Sequence, residues 1–169
     1  MARSGKPGSR SRDAWWARRA TAPDAFILGD GSFVHRSTAD DPVVWASDAD
    51  FSDAWLAESR AGQRGPAREF LWSACLRPPP GLVSALVALA RAAGEDEDLL
   101  GAVGAGPLED VIDSAGRDAG LLEEIERAAR QEPAFRIALR SVWIGDGVPP
   151  TVRERLVRFG ARDLTSLAQ

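Results

Sequence analysis

The run from Leu82 to Ala93 constrains this chain more than any other feature. Leu82, Val83, Leu86, Val87 and Leu89 make it apolar nearly all round, broken only by Ser84 and Arg91. A helix without a polar face is a buried helix. Pro78-Pro79-Pro80-Gly81 turns the chain ahead of it, and Gly94 fits its C-terminal cap.

The surrounding sequence supplies more helices. From residue 51 onward the apolar period is helical. Ser52 reads as an N-cap, with Phe51 and Leu56 spaced as a hydrophobic staple. Residues 66–77 place Phe70, Leu71, Ala74 and Cys75 on one broad face. Glu95, Asp96, Glu97 and Asp98 open a short helix that turns Leu99, Leu100 and Val103 inward. The segment from about 118 to 131 is amphipathic through Leu121, Leu122, Ile125 and Ala129. Its early acids and late arginines complement the helix dipole, and Glu123–Arg127 and Glu126–Arg130 have pairing distance along the helix. Pro133 opens a helix with the stripe Phe135, Ala138, Leu139, Val142, and Thr151 with Glu154 reads as a capping box before Val152, Leu156 and Phe159. No βαβ pattern appears. The expected fold is all-α: a compact, solenoid-like stack of about eight short helices over residues 51–169.

Ahead of it, residues 13–50 read as an extension holding a short helix near Trp15 and Trp16. A β-hairpin follows, Phe26 to His35, turning at Gly29-Asp30-Gly31, with Val43-Val44-Trp45 as an anchor. Residues 1–12 read as a disordered basic arm. The chain has 169 residues, 44% hydrophobic and 27% charged, enough for one domain with a real core. Cys75 is the only cysteine, which excludes an internal disulfide and a cysteine-based zinc site and makes the cytoplasm the default compartment. No apolar run approaches the roughly 18 residues of a membrane span, and Trp15-Trp16-Ala17-Arg18-Arg19 is no signal-peptide core. Arg3, Lys6, Arg10, Arg12, Arg18 and Arg19 against Asp13 give residues 1–20 a charge of +5, so the rest carries −9 of the total −4. Such an acidic body is unsuited to nucleic acid, and only the basic arm could bind it.

The run Leu99 to Ile112, with Gly116, Ile125-Glu126, Pro133-Ala134-Phe135-Arg136, Leu139 and Val142-Trp143, resembles an uncharacterised bacterial family of small helical domains with a Gly-Pro-Leu-Glu-Asp-Leu-Leu signature. The resemblance spans about residues 51 to 143. It implies a helical fold and carries no activity with it. A histidine often found before the glycine after the signature helix is Ala115 here.

The densest motif is Gly104, Gly106, Pro107, Leu108, Glu109 and Asp110. With Gly106 as N-cap and Pro107 at the first helical position, Glu109 falls where its carboxylate serves orphan N–H groups, so the motif reads as a structural corner. The glycines lack a Walker lysine and a preceding strand, which argues against a phosphate site. Glu109 and Asp113 share a helix face; with His35, the only histidine, they form the one alternative catalytic set, although a lone hairpin histidine reads as a surface residue. Cys75 reads as a buried thiol, and Trp55, Trp72 and Trp143 as core. No metal or cofactor is expected. The expected function is a small cytoplasmic protein-interaction module, such as an immunity or accessory protein, that offers an acidic, aromatic-rimmed surface to a basic protein partner. Its candidate contacts are Trp15, Trp16, Arg18, Arg19, Glu95, Asp96, Glu97 and Asp98. An enzyme using His35, Glu109 and Asp113 is the alternative, and nucleic-acid binding through the Arg/Trp arm the third reading.

Overall fold

The computed structural model describes residues 25–35, 42–116 and 118–165. It is mostly helical, with a small N-terminal antiparallel sheet. The sheet is a meander: β1 (Ala25–Ile27) pairs with β2 (Phe33–His35), which pairs with β3 (Val43–Trp45). The hairpin closes because Gly31 takes φ 84° and the Asp30 carboxylate accepts from the Ser32 N–H at 2.9 Å and its hydroxyl at 2.7 Å. Val43-Val44-Trp45 is more than an anchor: it is the third strand, with Trp45 opposite Phe33.

The helices follow. α1 is Asp48–Arg60, α2 Pro66–Leu76, α3 Leu82–Ala93, α4 Glu97–Val103, α5 Glu109–Ala115, α6 Ala119–Gln131, α7 Pro133–Leu139 and α8 Pro150–Val157. A two-residue strand β4 (Trp143–Ile144) pairs in parallel with β5 (Arg162–Asp163) around α8. Nothing in the residue pattern marks this second sheet, whose strands are too short for alternation.

Two helix starts differ from expectation, and a third, where it was expected, is capped from a distance. α1 is capped by Ser47, whose hydroxyl oxygen accepts from the Asp50 N–H at 3.2 Å; Ser52 lies one turn inside and is buried. Ser47-Asp48-Ala49-Asp50 is itself a capping sequence, so the helix begins at the earlier signal. α2 starts at Pro66 with no cap of its own. Glu58 of α1 reaches across and accepts from the Ala67 and Arg68 N–H groups at 3.1 and 2.9 Å. α8 starts at Pro150 with no side-chain cap, which puts Thr151 inside the helix and removes the expected capping box. Proline suits that first position, since its φ is preset and its missing N–H would have been an orphan.

α3 is the hub. Leu82, Leu86, Leu89 and Ala90 are at most 1% exposed, and the helix packs against α1, α4, α6 and α7. Successive helices touch, as in a stack: α1 with α2, α3 with α4, α6 with α7. The additional contacts through α3 close that stack into one continuous core that also takes in the sheet. No helix among the described residues is long and apolar enough to cross a membrane.

Candidate functional site

The motif expected to form a corner does not turn the chain. Gly104–Leu108 is a single π-helical turn that joins α4 to α5 with helical torsions throughout; the Glu109 N–H bonds to the Gly104 carbonyl. Gly106 is therefore no N-cap and Pro107 no first residue. The physical reason lies in the proline. Inside an α-helix its ring would strike a carbonyl of the preceding turn and delete one bond, and the wider π turn absorbs both. Gly104 has a separate task. A Cβ there would lie 2.1 Å from the Ala138 carbonyl oxygen, so only glycine lets α4 press against α7. Gly106 faces open space.

Because α5 continues an existing helix, Glu109 has no orphan N–H groups of its own to serve. Its Oε2 accepts instead from the Trp143 N–H at 3.0 Å and anchors β4. Partial desolvation raises the Asp110 carboxyl above the ordinary aspartate range, helped by the charges of Asp113 and Glu109. Asp113 is exposed to solvent. Cys75 is buried, its thiol donating to the Pro107 carbonyl at 3.4 Å; burial, and then the Asp110 charge, push its pKa far up and keep it protonated.

His35 is a correction. It is 3% exposed, on the inner face of the sheet, with its ring edge-on to Phe70 at 6.4 Å. Alternation along β2 carries the signal: Phe33 and His35 share a face, and Phe33 points inward. The three members of the alternative catalytic set thus occupy different settings, His35 among aromatic rings, Glu109 on a strand backbone and Asp113 in water. Among the described residues, no group of three or more His, Cys, Asp or Glu side chains could hold a metal ion. Trp55 is buried. Trp72 is instead 44% exposed, and Trp143 is half-buried with the Arg162 guanidinium 5.0 Å over its ring.

The charged interior contacts came from pairs distant in sequence. Glu126, 8% exposed, takes a two-point hydrogen bond from Arg155 at 2.6 and 3.0 Å, with Arg130 at 3.6 Å. The Arg155 hydrogen bonds hold its carboxyl below the usual range although burial pulls the other way. The helical spacing pointed to Arg130 alone; Arg155 on α8 is invisible to it. Arg91 of α3 grips Glu132, between α6 and α7, in the same forked fashion.

Two grooves stand out on the surface of the described residues. One, between α3 and α6, mixes Asp48, Glu124 and Glu132 with Arg91 and Arg127. The other lies where α4 and α7 begin. Its floor is Leu100, Pro133, Ala134 and Ile137, and its rim is Gly94, Glu95 and Glu97. Glu95, Asp96, Glu97 and Asp98 are all exposed on a corner fixed at both ends: Gly94 closes α3 at φ 64°, and the Asp96 carboxylate accepts from the Leu99 N–H at 3.1 Å. Trp15, Trp16, Arg18 and Arg19 lie outside the described residues.

A family model described as a family of unknown function (DUF6869) matches residues 38–163. The match starts before α1, at the approach to β3, and runs on through β5, beyond the span of about 51 to 143 that the motif residues suggested. No curated protein and no solved structure matches the chain.

Proposed function

The chain belongs to that family of unknown function, and from its geometry we propose a non-enzymatic protein-interaction module, an immunity or accessory protein that presents an acidic surface to a basic protein partner. The observation that carries this reading is the corner between α3 and α4. Four consecutive carboxylates stand exposed on it, and its backbone is held by a glycine cap on one side and an aspartate cap on the other. Rigid presentation lowers the ordering cost of association, and a patch of one sign favours encounter with an opposite charge. A second support comes from the ionisable groups that could have done chemistry. Glu109 is committed to a backbone N–H, Glu126 to Arg155, and Cys75 is buried as a neutral thiol. We place the protein in the cytoplasm, where a free buried thiol persists.

The test is co-purification of the full chain from its native cells, with a variant carrying Glu95→Lys, Glu97→Lys and Asp98→Lys beside it; Asp96 is left in place to keep the cap. A partner retained by the parent and lost from the variant is the expected result. Recovery of no partner at micromolar concentration overturns the proposal, as does equal recovery by both proteins.

A further inference from the structure

We propose that the groove at the start of α4 and α7 is a docking site for a basic segment of a partner protein, one that carries a large apolar side chain between arginines or lysines. The inference rests on the interaction-module reading and names the residues and the ligand chemistry.

The groove follows from how the two helices meet. Gly104 follows the C-terminal end of α4 and lies against the Ala138 carbonyl near the C-terminal end of α7. Their first residues, Glu97 and Pro133, border the same opening. The pair is therefore pinched at one end and parted at the other. In the parted end Leu100 is 1% exposed and forms the floor, while Ile137 on the α7 side is 39% exposed. Ala134 and Pro133 complete an apolar trough.

Charge selects the occupant. The lining residues include two carboxylates, Glu95 and Glu97, and no cation. Asp96 and Asp98 add two more on the same corner, outweighing the partial positive charge at the α4 start. An anion or an acidic segment would be repelled. A purely apolar segment would leave the glutamates without counter-charge at the rim. Arginine or lysine answers both needs, since the aliphatic stem packs along the trough while the charged head meets the rim. The groove between α3 and α6 offers no comparable selection, because two arginines stand among its three acids and Arg91 is already taken by Glu132.

The experiment is a fluorescence-anisotropy titration of the full chain with a short labelled peptide in which leucine and tryptophan are bracketed by pairs of arginines. Saturable binding is expected, weakened at least about tenfold by Ile137→Ser and by Glu95→Lys with Glu97→Lys. The control Asp113→Lys should leave it unchanged, and a peptide with glutamates in place of the arginines should not bind. Circular dichroism melts verify that the variants remain folded. Three results overturn the proposal: no saturable binding, equal binding by the groove variants, or binding only after residues 1–24 are removed, which would make the chain's own basic segment the occupant. A native partner lost on charge reversal but indifferent to Ile137→Ser rejects the groove and keeps the module. Peptide bound in the groove with no native partner rejects the module and keeps the groove chemistry.

Discussion

The two flanks of α3 are built by different physics. On the sheet side, Phe33, Trp45, Phe51 and Phe70 form an aromatic cluster whose ring centroids stand 4.7 to 5.8 Å apart, and Phe33, Phe51 and Phe70 are at most 1% exposed. On the side of α6, α8 and the second sheet, much of the tying is done by charges and single hydrogen bonds. Examples are Arg155 on Glu126, Arg153 on Asp163 at 3.7 Å, Arg162 over Trp143 and the Trp143 N–H on Glu109. The first flank owes its stability chiefly to area removed from water and to ring geometry, with the buried ring of His35 set against Phe70. The second owes part of its order to ionised carboxylates. One core therefore has an edge held by apolar packing and an edge that responds to pH through its carboxylates.

The largest expected effect strikes the aromatic flank. Phe70→Ala removes a ring that touches every other member of the cluster and should cost about 3–5 kcal/mol, measured by denaturant unfolding. The loss should be the same at low and at physiological ionic strength; a strong salt dependence would break the comparison. Next comes the joint between the flanks. Gly104→Ala drives a methyl into the Ala138 carbonyl, a backbone atom that cannot swing away, and should cost about 1–3 kcal/mol or more in the same assay. Gly106→Ala, two residues on and facing open space, should be neutral or stabilising by up to about 1 kcal/mol.

Glu126→Gln probes the responsive flank and should cost about 1–2 kcal/mol at neutral pH, a value held down by the partial exposure of Arg155. Its sign with pH follows from the carboxyl being held below its unfolded value of 4.5. The folded state then binds fewer protons than the unfolded one as pH falls below that value. The stabilisation is complete above it and is lost as pH drops through the depressed folded pKa. Parent and variant should thus converge in stability in acid, as read by thermal melts across pH. The smallest effect belongs to Arg91→Ala. Its pair with Glu132 is exposed, and the melting temperature should be unchanged at about 0.15 M salt.

These contrasts also mark what the sequence could disclose. Local signals were readable: the all-apolar run that became α3, the Gly94 cap, the inward Leu99, Leu100 and Val103, and the Asp-Gly hairpin. Trp72 was readable too, and its apolarity outweighed its position. It falls on the face opposite Phe70 and Ala74, where 100° per residue puts it in solvent. The remainder was hidden because its causes are distant. Glu58 capping α2, Arg155 reaching Glu126 and Glu109 holding β4 all join residues whose proximity only the finished fold creates. The π turn was hidden for another reason. Gly-Pro followed by acids is equally a helix start and a helix widened in passing, and the contact of Gly104 with α7 decides between them. Of the groove, the acids at 95–98 stood out; its apolar floor, drawn from helices far apart in the chain, did not.

A wheel with one axle cannot be cut in half. Since α3 is wrapped by helices from both sides of it in the sequence, α1 before it and α4, α6 and α7 after it, a shortened version that stops before Pro133 would bare the greasy side that α7 covers. It should clump rather than simply soften, and the smallest portable piece of this protein extends from the first strand through at least α7.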